Sequence, residues 1–365
     1  MNRTIQAAIL IPSLEPDDRL PAYVDKLCES GFRHVVIVDD GSSEKFQPIF
    51  DDLERREGVV VLHHDVNHGK GVALKTGYAY IAEHLPDCPG VITADADGQH
   101  TVPDCIKLAD ALETGKRALY LGSRDFSLPC IPPKSRFGNR CTSVVFKLFY
   151  GVWLPDTQTG LRAFRREDLD FMRNVEGERY EYEMNVLIAC ARASLPMETI
   201  TIETVYENNN EGTHFHPLRD SWRIYKVILG GFFRFAGVSI LSWLLDEGLA
   251  NLLFYVLLPL LGVAGAALEF VSGYGARLVS AVFNYTMNRK LVFKSDASVA
   301  ASAWKYVILA LGIITVSNIC VWVLGLIGVP YALAKILIDL VLYLVSYNVQ
   351  DRWVFKPAGQ KGAQA

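Results

Sequence analysis

Asp95 and Asp97 stand two positions apart where an apolar run ends, in the segment Ala94-Asp95-Ala96-Asp97-Gly98-Gln99-His100. Carboxylates at i and i+2 leaving a buried strand can both reach one hard cation if the chain turns there. Mg2+ and Mn2+ favour oxygen ligands and are typically completed by substrate phosphates. Three more polar clusters follow apolar runs in the same way. They are Pro12-Ser13-Leu14-Glu15, then Val38-Asp39-Asp40-Gly41-Ser42-Ser43, then Asn67-His68-Gly69-Lys70-Gly71 at the start of a helical pattern. The third cluster is not a P-loop, because no Gly lies five residues before Gly69 and Gly71 replaces the required Ser or Thr. A Gly-rich turn at a helix start can still approach a phosphate or a base; a plain tight turn would use the same residues. No G-x-G-x-x-G is present, so dinucleotide chemistry has no support.

The elements that must position these clusters are legible as alternating runs. Ala7–Ile11, His34–Val38, Val59–Leu62, Val91–Ala94 and Ala118–Leu121 are apolar and strand-length. Between them lie longer helical patterns, such as Asp17–Ser30, Gly71–Glu83 and Pro103–Thr114. Strands separated by helices imply right-handed βαβ units and a mostly parallel sheet, an α/β Rossmann-like domain. Ligands of such sheets bind beyond the carboxyl ends of the strands, which is where the four clusters fall.

Composition divides the 365 residues in two. Residues 1–228 hold 26 Lys and Arg against 34 Asp and Glu, whereas residues 229–365 hold 10 against 6. Mean hydropathy is +0.19 for the whole chain, high for a water-soluble enzyme, and the excess lies in the second part. An acidic first part argues against nucleic acid as a partner. Seven scattered cysteines without a C-x-x-C argue against a disulfide scaffold or a zinc site. After Leu229, Gly248–Leu268 and Tyr306–Ala334 carry no charge, and runs of about 20 apolar residues span a bilayer. The pattern predicts an all-α membrane domain of four helices, roughly 232–257, 266–287, 305–327 and 331–350.

The turns near 258–265 and 328–330 have no Lys or Arg, whereas Arg219, Arg223, Lys226, Arg289, Lys290, Lys294, Arg352, Lys356 and Lys361 collect on the other side. The positive-inside rule puts that side, and both termini, in the cytosol, and no signal peptide is expected at the N-terminus. The second and fourth helices exit through similar segments, Asn284 to Lys294 and Asn348 to Lys356, each ending in Val-Phe-Lys; this predicts a duplicated hairpin. Asp246, Glu247, Glu269, Arg277, Lys335 and Asp339 lie within the spans, where charge is costly and is expected to be paired or functional.

Together these motifs resemble family 2 glycosyltransferases of the GT-A fold, and more narrowly the polyprenyl-phosphate sugar synthases typified by dolichyl-phosphate mannose synthase. The likeness covers about residues 5–228, and the membrane part resembles the four-helix GtrA-type domain. The implied layout is a cytosolic GT-A domain at 1–214, an interfacial helix or linker at 215–231, a membrane domain at 232–356 and a tail at 357–365. By the resemblance, Pro12, Ser13, Glu15 and Asp40 cradle the nucleotide, with Lys70, Asp95, Ala96 and Asp97 completing the nucleotide-sugar site. Asp95, Asp97 and Gln99 match the D-x-D-x-Q that would hold Mg2+ or Mn2+ against the diphosphate. Arg124, Arg136 and Arg140 match positions that bind the acceptor phosphate, although surface cations at a bilayer would look the same. Asp156, in Asp156-Thr157-Gln158-Thr159-Gly160, matches the proposed catalytic aspartate and would equally serve as an Asx-turn cap. Glu183 matches a recurring acidic position.

Two departures stand out. Ser13-Leu14-Glu15 replaces an aromatic and Asn before Glu, and Asn208–His216 lacks the phosphate-gripping Arg, a role open to His214 or Arg219.

The implied reaction is inverting, metal-dependent transfer of one hexose, from UDP-glucose or GDP-mannose, to undecaprenyl or dolichyl phosphate at the cytosolic leaflet. The partners are then a nucleotide sugar, the lipid phosphate and the membrane, and a homo-oligomer is compatible with the sequence. Two rivals remain open. One is a lipid-sugar transporter whose soluble part only binds; the other is a processive polysaccharide synthase, although no Q-x-x-R-W motif is present.

Overall fold

The computed structural model describes residues 4–113, 116–128, 131–203 and 217–355. Cys130, Lys356, Lys361 and the expected acceptor segment 208–216 with His214 lie outside them. The chain divides into two compact units, Met1–Ile228 and Leu229–Ala365.

The first unit is built on a seven-stranded sheet. Its strands are β1 (Ile5–Ser13), β2 (Phe32–Asp39), β3 (Val59–His63), β4 (Gly90–Thr93), β5 (Leu119–Arg124), β6 (Arg162–Arg165) and β7 (Met197–Ile202). They run in the order β3-β2-β1-β4-β6-β5-β7. All pairings are parallel except those of β6, which is antiparallel to β4 and β5. The five expected strands are therefore present, and the sheet is mixed rather than uniformly parallel. Strand β6 escapes the pattern because Arg-Ala-Phe-Arg is too short and too charged to read as a buried run. Strand β7 escapes it because Glu198, Thr199 and Thr201 interrupt an edge strand.

The helices are α1 (Arg19–Glu29), α2 (Gln47–Leu53), α3 (Lys70–His84), α4 (Val102–Glu113), α5 (Pro133–Tyr150), α6 (Leu169–Arg173), α7 (Glu181–Ala193) and α8 (Pro217–Ile228). Alternation along β1 and β2 sends Ile9, Ile11, Val35 and Ile37 into one core with Leu20, Val24 and Leu27 of α1 and Leu108 of α4. Leu10 points to the other face, against α3. The register aligns Ser13 with Asp39 and Asp39 with His63. Ala94 N–H donates to Leu10 C=O at 3.0 Å. The first four strands thus end along one edge, and the polar clusters follow directly.

The second unit contains α9 (Gly230–Leu252), continued by a π-helical turn at Leu253–Leu257 into α10 (Leu258–Leu260), then α11 (Ala266–Met287), α12 (Val299–Leu326) and α13 (Tyr331–Val349). Among the described residues three stretches are long and apolar enough to cross a membrane: Gly230–Leu260, Val299–Leu326 and Tyr331–Val354. Helix α11, the expected second span, is not among them. Glu269 and Arg277, with Ser272, Gly273, Gly275 and Ser280, dilute its apolar character. Four of the six charged residues expected within the spans are paired: Arg277 meets Asp246 at 3.1 Å, and Lys335 meets Asp339 at 2.9 Å. Ser280 donates to Asp246 at 2.9 Å.

The duplicated exits prove structurally equivalent. Each hairpin leaves through a π-helical turn, Asn288–Val292 and Gln350–Val354. The two turns meet: Asn288 Nδ2 donates to Gln350 Oε1 at 3.3 Å, and the Phe293 and Phe355 rings stack at 5.0 Å.

Helix α3 lies close to β1 because Gly77 faces Leu10. A methyl group there would overlap Leu10 Cδ1 and Cδ2, and Leu10 is fully buried with no room to retreat. Gly77→Ala gains about 0.5–1 kcal/mol of helix propensity. Overpacking costs about 1–3 kcal/mol, which exceeds that gain. The variant should unfold several degrees below the parent in a thermal melt of the detergent-purified protein, at about 2–4 °C per kcal/mol.

Candidate active site

Beyond the carboxyl edge of the sheet lies a cavity of about 420 Å³, lined by Pro12, Ser13, Leu14, Asp40, Asn67, Gly69, Lys70, Ala73, Asp95, Ala96, Asp97, Arg179 and Tyr180. It gathers Pro12, Ser13, Asp40, Lys70, Asp95, Ala96 and Asp97 from four separate clusters. Glu15 is not part of its lining. That residue sits beside the second cluster in a left-handed conformation (φ 49°), its N–H donating to Ser42 Oγ at 2.8 Å. Ser43 Oγ donates to its carboxylate at 3.4 Å.

Asp40 is buried and its oxygens are engaged by the third cluster. Gly69 N–H donates to Oδ2 at 2.7 Å, His68 N–H donates to Oδ1 at 3.0 Å, and His64 Nδ1 lies 2.8 Å from Oδ1. The carboxylate thereby fixes the turn that launches α3. Gly69 begins that helix at φ 104°, and a side chain there would strike Glu178 C=O and Arg179. The glycine thus serves both the turn geometry and the close packing of the segment 178–180 over the cavity.

Asp95 is the electrostatic centre. Lys70 Nζ lies 2.7 Å from its Oδ1 and 3.0 Å from Glu183 Oε1. His100 Nε2 lies 3.1 Å from Asp95 Oδ2. Burial disfavours the Asp95 charge, yet Lys70 and His100 outweigh it and hold the carboxyl far below the usual carboxylate range. Burial likewise opposes the Lys70 charge, and the attraction of Asp95 and Glu183 overcomes it, raising the ammonium above the ordinary lysine value. A Cβ on Gly160 would fall 2.5 Å from Asp95 Oδ2, so only glycine lets the 156–160 loop pass this carboxylate. Thr93 Oγ1 anchors the loop by donating to Gly160 C=O at 2.8 Å.

Arg124 and Asp156 form a second unit. Arg124 Nε lies 2.7 Å and its terminal nitrogen 3.2 Å from the two Asp156 oxygens, and Gln158 N–H donates to Oδ1 at 3.0 Å. Asp156 is fully buried, so both of its oxygens are committed. The Arg124 guanidinium also lies over the Phe126 ring, 5.2 Å from its centroid. Arg136 and Arg140 are exposed on α5, apart from this pair; Arg136 donates to Leu128 C=O at 3.0 Å.

The donor set suits a hard divalent cation that arrives with its substrate. Asp95 and Asp97 offer carboxylate oxygen to one cavity; Gln99 is exposed and not part of its lining, its N–H donating to Asp97 Oδ1 at 3.0 Å. Among the described residues no three His, Cys, Asp or Glu side chains form a ready-made cage.

Sequence reasoning missed Arg179 and Tyr180, which line the cavity from 84 residues beyond Asp95 with no motif to mark them, and it gave His100 no role. The ion pair between Glu183 and Lys70 joins two positions singled out separately. Proximity of α7 to α3 across the chain carries no local signal.

With this geometry in view, two family matches define the class. Residues 8–172 match Glycosyl transferase family 2, and residues 234–355 match the GtrA/DPMS transmembrane domain. The chain is therefore an enzyme with a family 2 glycosyltransferase domain followed by a GtrA/DPMS membrane domain. Several curated relatives are similar to the first domain. An uncharacterized protein of Methanocaldococcus jannaschii is 27% identical over 229 residues, 62% of this chain and 92% of the relative. A UDP-N-acetylglucosamine–dolichyl-phosphate N-acetylglucosaminyltransferase of Methanococcus voltae is 27% identical over 215 residues, 54% of this chain and 85% of the relative. The polyprenol monophosphomannose synthase of Mycolicibacterium smegmatis is 26% identical over 181 residues, 46% and 64% respectively. Among solved structures, glucosyl-3-phosphoglycerate synthase from Mycobacterium tuberculosis covers 62% of this chain and 78% of its own at 17% identity, with a TM-score of 0.45.

The Arg124–Asp156 geometry makes a stability prediction. Arg124→Ala leaves the buried Asp156 carboxylate without its partner; with the arginine itself 34% exposed, the expected loss is about 1–3 kcal/mol. Removing that charge as well, in the Arg124→Ala/Asp156→Asn double variant, should restore much of the loss. Thermal unfolding of the four members of this cycle measures the difference.

Proposed function

We propose that the enzyme transfers one hexose from a nucleotide sugar to a membrane polyprenyl phosphate, with inversion at the anomeric carbon. The observation that carries this reading is the convergence of Asp95, Asp97, Lys70 and Arg179 on one cavity at the carboxyl edge of the sheet, in a chain whose second unit is built for a membrane. The acceptors named for the Methanococcus and Mycolicibacterium relatives, a dolichyl phosphate and a polyprenol, support the same lipid class here.

In this reading Pro12, Ser13 and the turn held by Asp40 receive the nucleotide, and Lys70 and Arg179 face its diphosphate. Mg2+ or Mn2+ held by Asp95, Asp97 and Gln99 supplies charge neutralisation for the leaving diphosphate. A phosphate monoester has its second pKa near 6 and is largely dianionic at neutral pH, so the acceptor needs no strong base. Its oxygen attacks the anomeric carbon opposite the diphosphate; the new carbon–oxygen bond forms as the bond to the diphosphate breaks. Asp156, with both oxygens committed, acts through Arg124 as a positioning residue and aims the guanidinium at the acceptor phosphate. Arg136 and Arg140 on α5 extend the basic surface along which the lipid phosphate approaches. UDP-glucose is the donor we favour, with GDP-mannose second.

Membranes containing the enzyme, incubated with undecaprenyl phosphate and radiolabelled UDP-glucose or GDP-mannose, should yield a chloroform-soluble, mild-acid-labile product from one donor. Asp97→Ala should lower the rate by about 10²–10³ or more, the scale of losing a main electrostatic contact of the transition state. Full activity in chelator-treated, metal-free buffer would remove the metal assignment.

We also propose that α11 crosses the bilayer as a fourth span, with both termini and Arg289 cytosolic. A cysteine placed at 289 should then react with a membrane-impermeant maleimide only in inverted vesicles. Labelling in right-side-out vesicles would reverse the topology.

A further inference from the structure

Lys70 occupies the position that the metal reading assigns to a different cation. Its ammonium lies 2.7 Å from Asp95 Oδ1 and 3.0 Å from Glu183 Oε1, and the side chain is only 17% exposed. His100 engages the other Asp95 oxygen at 3.1 Å. The oxygen has lone pairs for both, but a divalent cation bound at about 2.0–2.2 Å would then stand only about 4 Å from the ammonium. Two positive ions a few ångströms apart repel strongly in a partly buried site. The lysine and the divalent cation therefore compete for Asp95.

The lysine has somewhere to go. It is the first residue of α3 and lines the donor cavity, so its flexible stem can swing toward a bound diphosphate, which it would meet as a point charge. Arg179 lines the same cavity without an ion pair to Asp95.

We propose that Lys70 is a tethered counter-cation that neutralises Asp95 and Glu183 in the free enzyme and passes to the donor diphosphate when a divalent cation takes Asp95. This rests on the metal assignment made above. It has a consequence that assignment alone lacks. A cation entering without nucleotide must displace Lys70 and leave it without an anionic replacement for Asp95, so it binds weakly. A nucleoside diphosphate supplies the replacement, so nucleotide and cation bind cooperatively through the lysine, beyond the affinity they have for each other in water. Such linkage commonly amounts to about 5–150-fold.

The test is Mn2+ binding to the purified full-length protein in detergent, read from the electron paramagnetic resonance signal of free Mn2+, with and without UDP or GDP. Lys70→Met should tighten Mn2+ binding in the absence of nucleotide by about tenfold, within that coupling range. It should also shrink the further tightening that nucleotide brings. Lys70→Gln should behave likewise and guards against misfolding of the Met variant, while Lys70→Arg should keep the weak, nucleotide-dependent binding of the parent. Unchanged or weakened Mn2+ affinity in folded Lys70→Met and Lys70→Gln overturns the exchange. Equal tightening by Arg179→Met overturns it too, because net charge alone would then account for the effect. Asp97→Asn separates the two levels: if it removes Mn2+ binding the metal reading stands whatever Lys70 does, and if it leaves binding intact both fall together.

Discussion

Asp95 sits where β4 leaves the sheet, and it remains ionised in a place that disfavours charge. Much of the site can be understood as the cost of keeping it so. Lys70 and His100 supply the compensation. Lys70 in turn needs the turn at Gly69, which needs Asp40 to hold its amides. Gly160 lacks a side chain because the carboxylate fills that space, and the loop passing there begins at Asp156, whose own charge is met by Arg124. A single partly buried negative charge thus links β2, β4, β5, α3, α7 and the 156–160 loop through a chain of contacts.

The aspartates of the site divide into two kinds. Asp40 and Asp156 are buried, and their oxygens are consumed by the protein's own donors. One carboxylate is spent on a turn and the other on an arginine. Asp95 and Asp97 are partly open to the cavity, and only Asp95 is met there by the lysine. A carboxylate available to a ligand must leave lone pairs unspent, a constraint on chemistry that burial alone does not reveal.

The strands and the first four polar clusters were legible in the sequence because each is local: a short apolar run, then turn residues and carboxylates. The paired charges of the membrane unit and the repeated Val-Phe-Lys exits were legible for the same reason. What escaped was long-range or masked by context. Arg179 reaches the cavity only because α7 packs beside α3. Strand β6 is antiparallel because the chain returns across the sheet from α5, which no periodicity encodes. Helix α11 matched a span in length, but its Gly, Ser and charged residues give it a composition suited to packing against protein as well as lipid. The partner of Asp156 is Arg124, 32 residues away, and nothing in its own turn-forming neighbours announces that pairing.

The meeting of the two π-helical exits bears on how the membrane unit is assembled. Asn288 and Gln350, like Phe293 and Phe355, occupy equivalent places in successive hairpins and touch one another. Contacts between equivalent positions are the signature of a self-complementary surface, the kind that joins two identical subunits. The seam thus has the self-complementary form of a homodimer contact, made here within one chain. During synthesis it cannot close until the second hairpin has emerged, so the first hairpin spends its early life with half of a dimer contact exposed. Because the partner lies on the same polypeptide, that wait is independent of protein concentration.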